Sequence, residues 1–330
     1  MTVPQLRPLS LADLQAAIEP RLVQVEHEMR RMIEADFPLI ADVNQHLLRM
    51  RGKMFRPTLV LLADEATGGP SRHGATLAAV IELIHLATLV HDDAVDHSVL
   101  RRGMPTINAL FSHQVSVIMG DFLYSRAMVE LVRLGDLRAL RTLARVTNEM
   151  TIGEMRQLLA HDRLAFSEEQ YDLLIKAKTA SLISGACEVG ALEAPRDQQA
   201  ILGRFGEKLG MAFQIVDDVL DYTSDELTTG KPSGLDLREH KVTLPLIYAL
   251  PRFTVAERAA LDSLLDAATP SDEAIAAIVL AVTRHGGIDE ARERAQRLVA
   301  EAEDDLALLP ESPARETLRA SLSYVVERRR

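Results

Sequence analysis

The chain has no tryptophan, a single cysteine and only 4% aromatic residues. One thiol cannot close an internal disulfide, so the fold does not depend on an oxidising compartment. Cys187 lies in the small, apolar run SLISGACEVGAL, where a buried thiol packs between helices and is chemically inert. Glycine (17) and proline (14) are sparse enough in 330 residues to leave long stretches free of helix breakers. Positive charge is in deficit, with 37 Lys and Arg against 48 Asp and Glu and a net charge of −11. That balance excludes the broad basic face a nucleic-acid partner needs. Apolar runs are interrupted before the roughly 18 to 20 residues of a membrane span, and MTVPQLRPLSLADL lacks a signal pattern, so a cytoplasmic protein is expected.

What is present favours helix. Apolar residues make up 47% and charged residues 26%, with a mean hydropathy of +0.02, a composition that supports a continuous buried core. Helical periodicity runs from Leu11 to Arg330, and no stretch alternates with the strand period, so the fold class is all-α. Ser10 with Asp13, Ser167 with Gln170, and Thr254 with Glu257 have the spacing of capping boxes. Breaks are expected at Gly68-Gly69-Pro70, Gly103-Met104-Pro105, Gly230-Lys231-Pro232 and Pro310 to Pro313. None is long enough for a flexible linker, which predicts a single domain over residues 1–330, built as one bundle of ten or more helices.

Leu77 to Val90 is apolar except for Glu82, His85 and Thr88, too little polarity for a surface helix. At 100° per residue, His85, Asp92 and Asp96 fall within about 40° of one another, with Glu82 and Asp93 to one side. A narrow polar stripe on a buried helix therefore ends in carboxylates. HDDAVD supplies Asp92, Asp93 and Asp96, and QIVDDVLD supplies Asp217, Asp218 and Asp221 with Gln214 on the same face. Either DDxxD alone reads equally well as a solvated helix end. Two copies, each following an apolar helix, do not, because three crowded acids repel one another without cations.

Carboxylates without nearby His or Cys pairs suit magnesium, with manganese as a substitute, and disfavour zinc. Magnesium keeps waters and bridges carboxylates to phosphate, so two clusters suggest a diphosphate clamped between them. Basic residues lie close by in sequence: Arg101 and Arg102 after the first cluster, Lys231 and Lys241 after the second, and Lys53 and Arg56 upstream in GKMFRP. Arginine forks hold phosphate oxygens bidentately, while lysine brings a mobile point charge.

The segments GKMFRP, ELIHLATLVHDDAVD, LRRGMPT, GDFL, KTA, GMAFQIVDDVLD, GKPSGLDL and KVTLPL occur in that order from about Leu48 to Leu250. Together they resemble the trans-isoprenyl diphosphate synthase (polyprenyl synthetase) family. The resemblance implies a helical bundle of the isoprenoid synthase type around a central active-site cavity, and condensation of isopentenyl diphosphate with an allylic diphosphate. It implies three magnesium ions, with Asp92 and Asp96 ligating two, Asp217 leading ligation of the third, and Asp93, Asp218 and Asp221 supporting them. Arg101, Lys178, Gln214, Lys231 and Lys241 would face the allylic diphosphate. Lys53, Arg56, His85 and Arg102 would hold isopentenyl diphosphate, and Thr179 would lie near the reacting carbons. Two departures touch local loops: Arg51-Gly52 where the family often has Gly-Gly, and His240 where it often has glycine. Neither removes a charged ligand.

In such an enzyme the allylic carbon to oxygen bond ionises, the double bond of the second substrate attacks the cation, and a proton leaves, with no nucleophilic side chain needed. Short-chain members commonly place an aromatic residue four or five positions before the first aspartate. Here those positions are Thr88 and Ala87, with Ile84 one turn further. The open route predicts a product of about twenty-five carbons or more, each buried methylene adding about 0.8 kcal/mol until a floor stops the chain. Met119, Phe122, Leu123 and Met150 are floor candidates. A class I terpene cyclase, which carries an Asn/Ser/Glu metal motif in place of the second aspartate cluster, and a noncatalytic subunit of a heteromeric synthase are the competing readings. Family resemblance also implies a homodimer packed near GDFL.

Overall fold

The computed structural model describes residues 9–50, 52–159, 166–223 and 234–328. Within them the chain is helical throughout except for one two-stranded ribbon. The expectation of an all-α fold with ten or more helices holds. All three capping boxes form: Ser10 with Asp13, Ser167 with Gln170, and Thr254 with Glu257, each pairing side chain and backbone reciprocally. Of the expected breaks, Gly230-Lys231-Pro232 lies outside the described residues.

Two long helices carry the aspartate clusters, Gly74–Val95 and Arg196–Thr223. The first is buried over most of its length, with Leu83 and Ile84 fully enclosed, and each such side chain stabilises the fold by about 1.5 to 3 kcal/mol. It packs against the helices His113–Leu134, Phe55–Ala66 and Glu19–Ile33. It is also long and apolar enough to cross a membrane, but 67% of its most apolar window is buried in the protein, as in a core helix. The second packs against the helices Gly287–Ala307, Ser181–Gly190 and Pro313–Glu327. Ser181–Gly190 touches both aspartate helices and so sits between them.

That central placement needs small residues. A side chain on Gly190 would meet the Val60 carbonyl at 2.3 Å, and one on Gly206 would meet the Ile183 carbonyl at 2.8 Å. Cys187 lies on this helix, fully buried, and burial alone raises its thiol pKa far from the reactive range. It packs, as its sequence context indicates. Buried apolar side chains from Ile18 to Val325 join in one cluster.

The ribbon pairs Leu100–Arg101 with Met104–Pro105 across Arg102 (φ 52) and Gly103 (φ 74). Two successive left-handed residues make the tight turn that matches strand twist. The sequence reading expected a break here. The hairpin adds a consequence, since it folds Arg101 and Arg102 back toward the end of the first aspartate helix.

Candidate active site

Phe55–Ala66 begins after Met54, which is left-handed (φ 58) and turns the GKMFRP segment. Arg56 is therefore placed at the first turn, and its guanidinium comes within electrostatic reach of Glu82, Arg102 and His85. A Cβ on Gly52 would lie 2.9 Å from both terminal nitrogens of Arg102, so any larger residue there would have to displace the guanidinium. Arg102 is held by donating to the Met50 carbonyl at 2.9 Å. Glu82 is buried, and burial raises its carboxyl pKa while Arg56 and Arg102 oppose the rise. His85 is driven well below the ordinary imidazole range by burial and by Arg56, Arg102 and Arg101. Burial also lowers Arg56 to about 10, partly offset by Glu82, and its buried Nε has no hydrogen-bond partner among the described residues. This pocket carries an excess of cationic donors with one donor unsatisfied, a match for an anion. Lys53, next to Gly52 in sequence, is exposed.

The six sequence-predicted aspartates divide into two kinds. Asp93 is buried and gripped by Arg101, whose Nε donates to both carboxylate oxygens at 2.9 Å. Asp218 is buried, accepting from the Tyr171 hydroxyl at 2.6 Å and from Gln214 Nε2 at 2.8 Å. Asp221 accepts the backbone N–H groups of Leu235 and Asp236, both at 3.1 Å, and so caps the short helix Leu235–Arg238. Asp92, Asp96 and Asp217 keep oxygens available. Among the described residues the side chains of Asp92 and Asp96 make no hydrogen bond or ion pair, and that of Asp217, 60% exposed, pairs only with Arg328, at 3.1 Å. Burial pushes Asp92 up to about 6, against Lys178 and with Glu154 and Asp96 adding to the rise.

Lys178 and Thr179 reach the site because one turn, Lys176–Ala180, is a π-helical bulge. Such bulges disrupt the regular turn and re-aim side chains. The bulge fits between two glycines: a Cβ on Gly153 would sit 3.0 Å from Ala177 Cβ, and one on Gly210 would sit 2.6 Å from Ala180 Cα. Lys178 pairs with Glu154 at 2.7 Å and donates to Gln157 at 3.1 Å. Thr179 donates to Gln214 Oε1 at 2.9 Å, which extends a chain of bonds through Gln214 to Asp218 and Tyr171.

A cavity of ≈ 1230 Å³ lies over this region, its lining including Asp96, Lys178, Thr179, Gln214, Asp218 and Lys241. Lys241 donates to Glu239 at 2.6 Å. Burial pulls the ammonium down, but Glu239, Asp236 and Asp96 outweigh it and leave it raised. Asp236 shares the cavity wall and is pushed up to about 7 by burial and by Asp221, against Lys241. Among the described residues no three acidic, imidazole or thiol groups could hold a metal by themselves. Open carboxylates with free oxygens fit magnesium, which takes its remaining ligands from water and phosphate.

Lys231 lies outside the described residues. Of the remaining predicted residues, Asp96, Lys178, Thr179, Gln214, Asp218 and Lys241 line the cavity, Arg56, His85 and Arg102 lie within electrostatic reach of one another, and Asp92, Asp93, Asp217 and Asp221 are not among the residues that line the cavity. Ile84 and Ala87 are buried in the first aspartate helix, and Thr88, half-buried, donates to the His85 carbonyl at 2.8 Å. Sequence reasoning passed over Tyr171, Asp236 and Arg328. Asp236 was findable, standing inside the quoted GKPSGLDL two residues after a glycine, whereas Tyr171 gives no signal in EEQYDLLI.

A family model described as polyprenyl synthetase matches residues 37–282. The chain belongs to the polyprenyl synthetase family. It is thus an enzyme, a prenyltransferase, and the terpene cyclase reading is excluded. Relatives include an octaprenyl diphosphate synthase of Haemophilus influenzae, 36% identical over 319 residues, 96% of each chain. Another is a heptaprenyl diphosphate synthase component 2 of Geobacillus stearothermophilus, 35% identical over 97% of this chain and 99% of that protein. A polyprenyl synthase of Caulobacter crescentus, solved with calcium and isoprenyl diphosphate, superposes with a TM-score of 0.92 at 32% identity, covering 98% of this chain and 100% of that one.

Proposed function

We propose that the cavity condenses isopentenyl diphosphate, held in the cation pocket, with an allylic diphosphate held at the aspartates, yielding a trans-polyprenyl diphosphate of medium to long chain. The observation that carries this is the division of the six aspartates. Asp93, Asp218 and Asp221 are spent on Arg101, on Tyr171 and Gln214, and on a helix N-terminus. Asp92, Asp96 and Asp217 retain oxygens for cations. Magnesium, three ions by family resemblance and replaceable by manganese, would be held by Asp92, Asp96 and Asp217 and supply positive charge against the leaving diphosphate.

The side chains prepare the rest. Arg101, Lys178 and Lys241 hold the allylic diphosphate and draw charge from its bridging oxygen, joined by Lys231, so that the allylic carbon to oxygen bond ionises. Gln214 and Thr179, tied together at 2.9 Å, orient the reacting end. Lys53, Arg56, His85 and Arg102 hold the second substrate with its double bond toward the allylic cation, which it attacks before losing a proton to the released diphosphate. Charge is supplied on both sides, and no nucleophile is required.

The growing chain follows the first aspartate helix past Thr88, Ala87 and Ile84, with no aromatic side chain at those positions. Heptaprenyl and octaprenyl synthases among the relatives support a long product. The name of the Geobacillus relative, component 2, keeps open a requirement for a second subunit. Purified chain assayed alone with radiolabelled isopentenyl diphosphate and allylic primers decides this, turnover being expected. Activity restored only by a partner would make the chain one component of a heteromer.

We further read residues 1–330 as one domain, since the described helices share a single core cluster. A homodimer through the GDFL helix is supported by the exposure of Ile118 (63%), Val129 (52%) and Val132 (68%). One buried thiol suits a reducing cytoplasm.

A further inference from the structure

Arg328 caps the helix Pro313–Glu327, yet its side chain is only 9% exposed. Its Nη2 donates to the Phe213 carbonyl at 2.8 Å and to Asp217 Oδ1 at 3.1 Å. These two acceptors are four residues apart on the second aspartate helix, so one nitrogen spans a helix turn and ties a carboxylate to it. The guanidinium carbon lies 3.9 Å from the centroid of the Phe213 ring. Phe213 stacks on Phe55 at 5.7 Å, and Phe55 meets Tyr324 at 5.9 Å. Arg328 is thus fixed from both sides, by the ring it covers and by the helix it ends. Of the three open aspartates, Asp217 alone is held in this way among the described residues.

We propose that Arg328 is a positioning residue for Asp217: by holding Oδ1 against the helix turn it fixes the side-chain rotamer and leaves Oδ2 as the oxygen offered to a divalent cation. The inference rests on the reading of Asp217 as a cation ligand. Carboxylate ligands are oriented by hydrogen bonds behind them, and loss of that support weakens metal affinity by about ten- to a hundredfold. An exposed aspartate with an unfixed rotamer would have to be ordered each time an ion arrives. The aromatic stack supplies rigidity, since a guanidinium over a ring keeps its plane.

The test is manganese binding to the full chain in the presence of inorganic diphosphate, followed by electron paramagnetic resonance, beside the magnesium dependence of turnover. Arg328→Gln is expected to weaken one manganese site about tenfold and shift the half-saturating magnesium upward, with kcat at saturating magnesium changed much less. Arg328→Lys, which keeps a charge but loses the fork, should recover part of the affinity, and it carries the test if Arg328→Gln does not fold. Tyr324→Leu removes only the outer contact with Phe55 and leaves Phe213 beneath the guanidinium; it is expected to lower the melting temperature while sparing manganese affinity. Unchanged or tighter manganese binding in both Arg328 variants overturns the proposal if Asp217→Ala weakens it. Should Asp217→Ala also leave manganese binding unchanged, the assignment of Asp217 itself fails.

Discussion

Around Arg56 a single buried carboxylate, Glu82, lies among arginines and an imidazole held neutral, whereas at the aspartate clusters carboxylates outnumber the cations within reach. Both regions are half-buried and polar, yet they solve opposite problems. In the first, an arginine donor is unsatisfied among the described residues and the histidine is kept from protonating by burial and its cationic neighbours, so an arriving anion is favoured by the arginines and the imidazole, against the single carboxylate of Glu82. In the second, acids are pushed upward in pKa, Asp92 to about 6 and Asp236 to about 7, and an arriving anion would be repelled unless cations came with it. On the proposed reading one end takes a diphosphate directly and the other needs metal first, which gives an experimental handle on each.

The largest effect should come from the metal end. Asp92→Ala and Asp217→Ala are expected to cut turnover by orders of magnitude while leaving circular dichroism and the melting transition nearly unchanged, because neither side chain fills the core. Steady-state rates across a magnesium titration check this. Near-normal turnover at saturating magnesium would remove the contrast between the two ends.

At the cation pocket the losses should be smaller and independent of metal. Arg56→Ala and Lys53→Ala are expected to weaken isopentenyl diphosphate about tenfold to a hundredfold each, from the about 1.5 to 3 kcal/mol of a hydrogen bond to a charged group. Calorimetry with and without magnesium sharpens the comparison. Equal losses for the allylic primer, or losses that depend on magnesium, would mean that the pockets are not separate.

The proposed route for the product runs between these ends. Ala87 is 2% exposed on the helix that joins them. Ala87→Phe should shorten the chain made and cost about 1 to 3 kcal/mol of stability through overpacking. Chromatography of dephosphorylated products reads the first effect and thermal unfolding the second. An unshortened product would place the growing chain elsewhere. A wild-type product that stops at about fifteen carbons, when each further methylene buried would still be favourable, would close the route as drawn.

Much of this was legible from local pattern. Capping boxes at Ser10, Ser167 and Thr254 are decided within four residues, and the buried run from Leu77 to Val90 announces a core helix through composition alone. The motifs also marked the residues on which the proposed site is built. Their division of labour was not legible, because it is decided by partners remote in sequence. Asp93 differs from Asp92 only because the turn at Arg102 and Gly103 returns Arg101 to it. Asp217 meets Arg328 across 111 positions. The π-helical bulge that aims Lys178 leaves the apolar periodicity intact, and the glycines that admit it, Gly153 and Gly210, belong to two other helices. A one-dimensional pattern carries no such matching of knob to pit.

The smallest predicted effect is a fraction of a proton, and it separates the two ends most cleanly. His85 is held well below the ordinary imidazole value by burial, then by Arg56, Arg102 and Arg101, so it is neutral in the empty pocket near neutral pH. For a histidine depressed in this way, the folded state binds fewer protons than the unfolded state below about pH 6.5, and its contribution to stability falls as the solution is acidified. A bound diphosphate reverses the balance by bringing negative charge to the cations that suppress protonation, so the imidazole pKa rises on binding. Binding then takes up protons, and affinity increases as pH falls through the pKa of the bound state. Isopentenyl diphosphate titrates in the same range, so wild type is compared with His85→Gln. Calorimetry near pH 6.5 in buffers of different ionisation enthalpy counts the protons in each. Uptake should be larger in wild type than in the variant. Equal uptake would mean that the imidazole does not sense the ligand, and that the pocket around Arg56 is not where isopentenyl diphosphate rests.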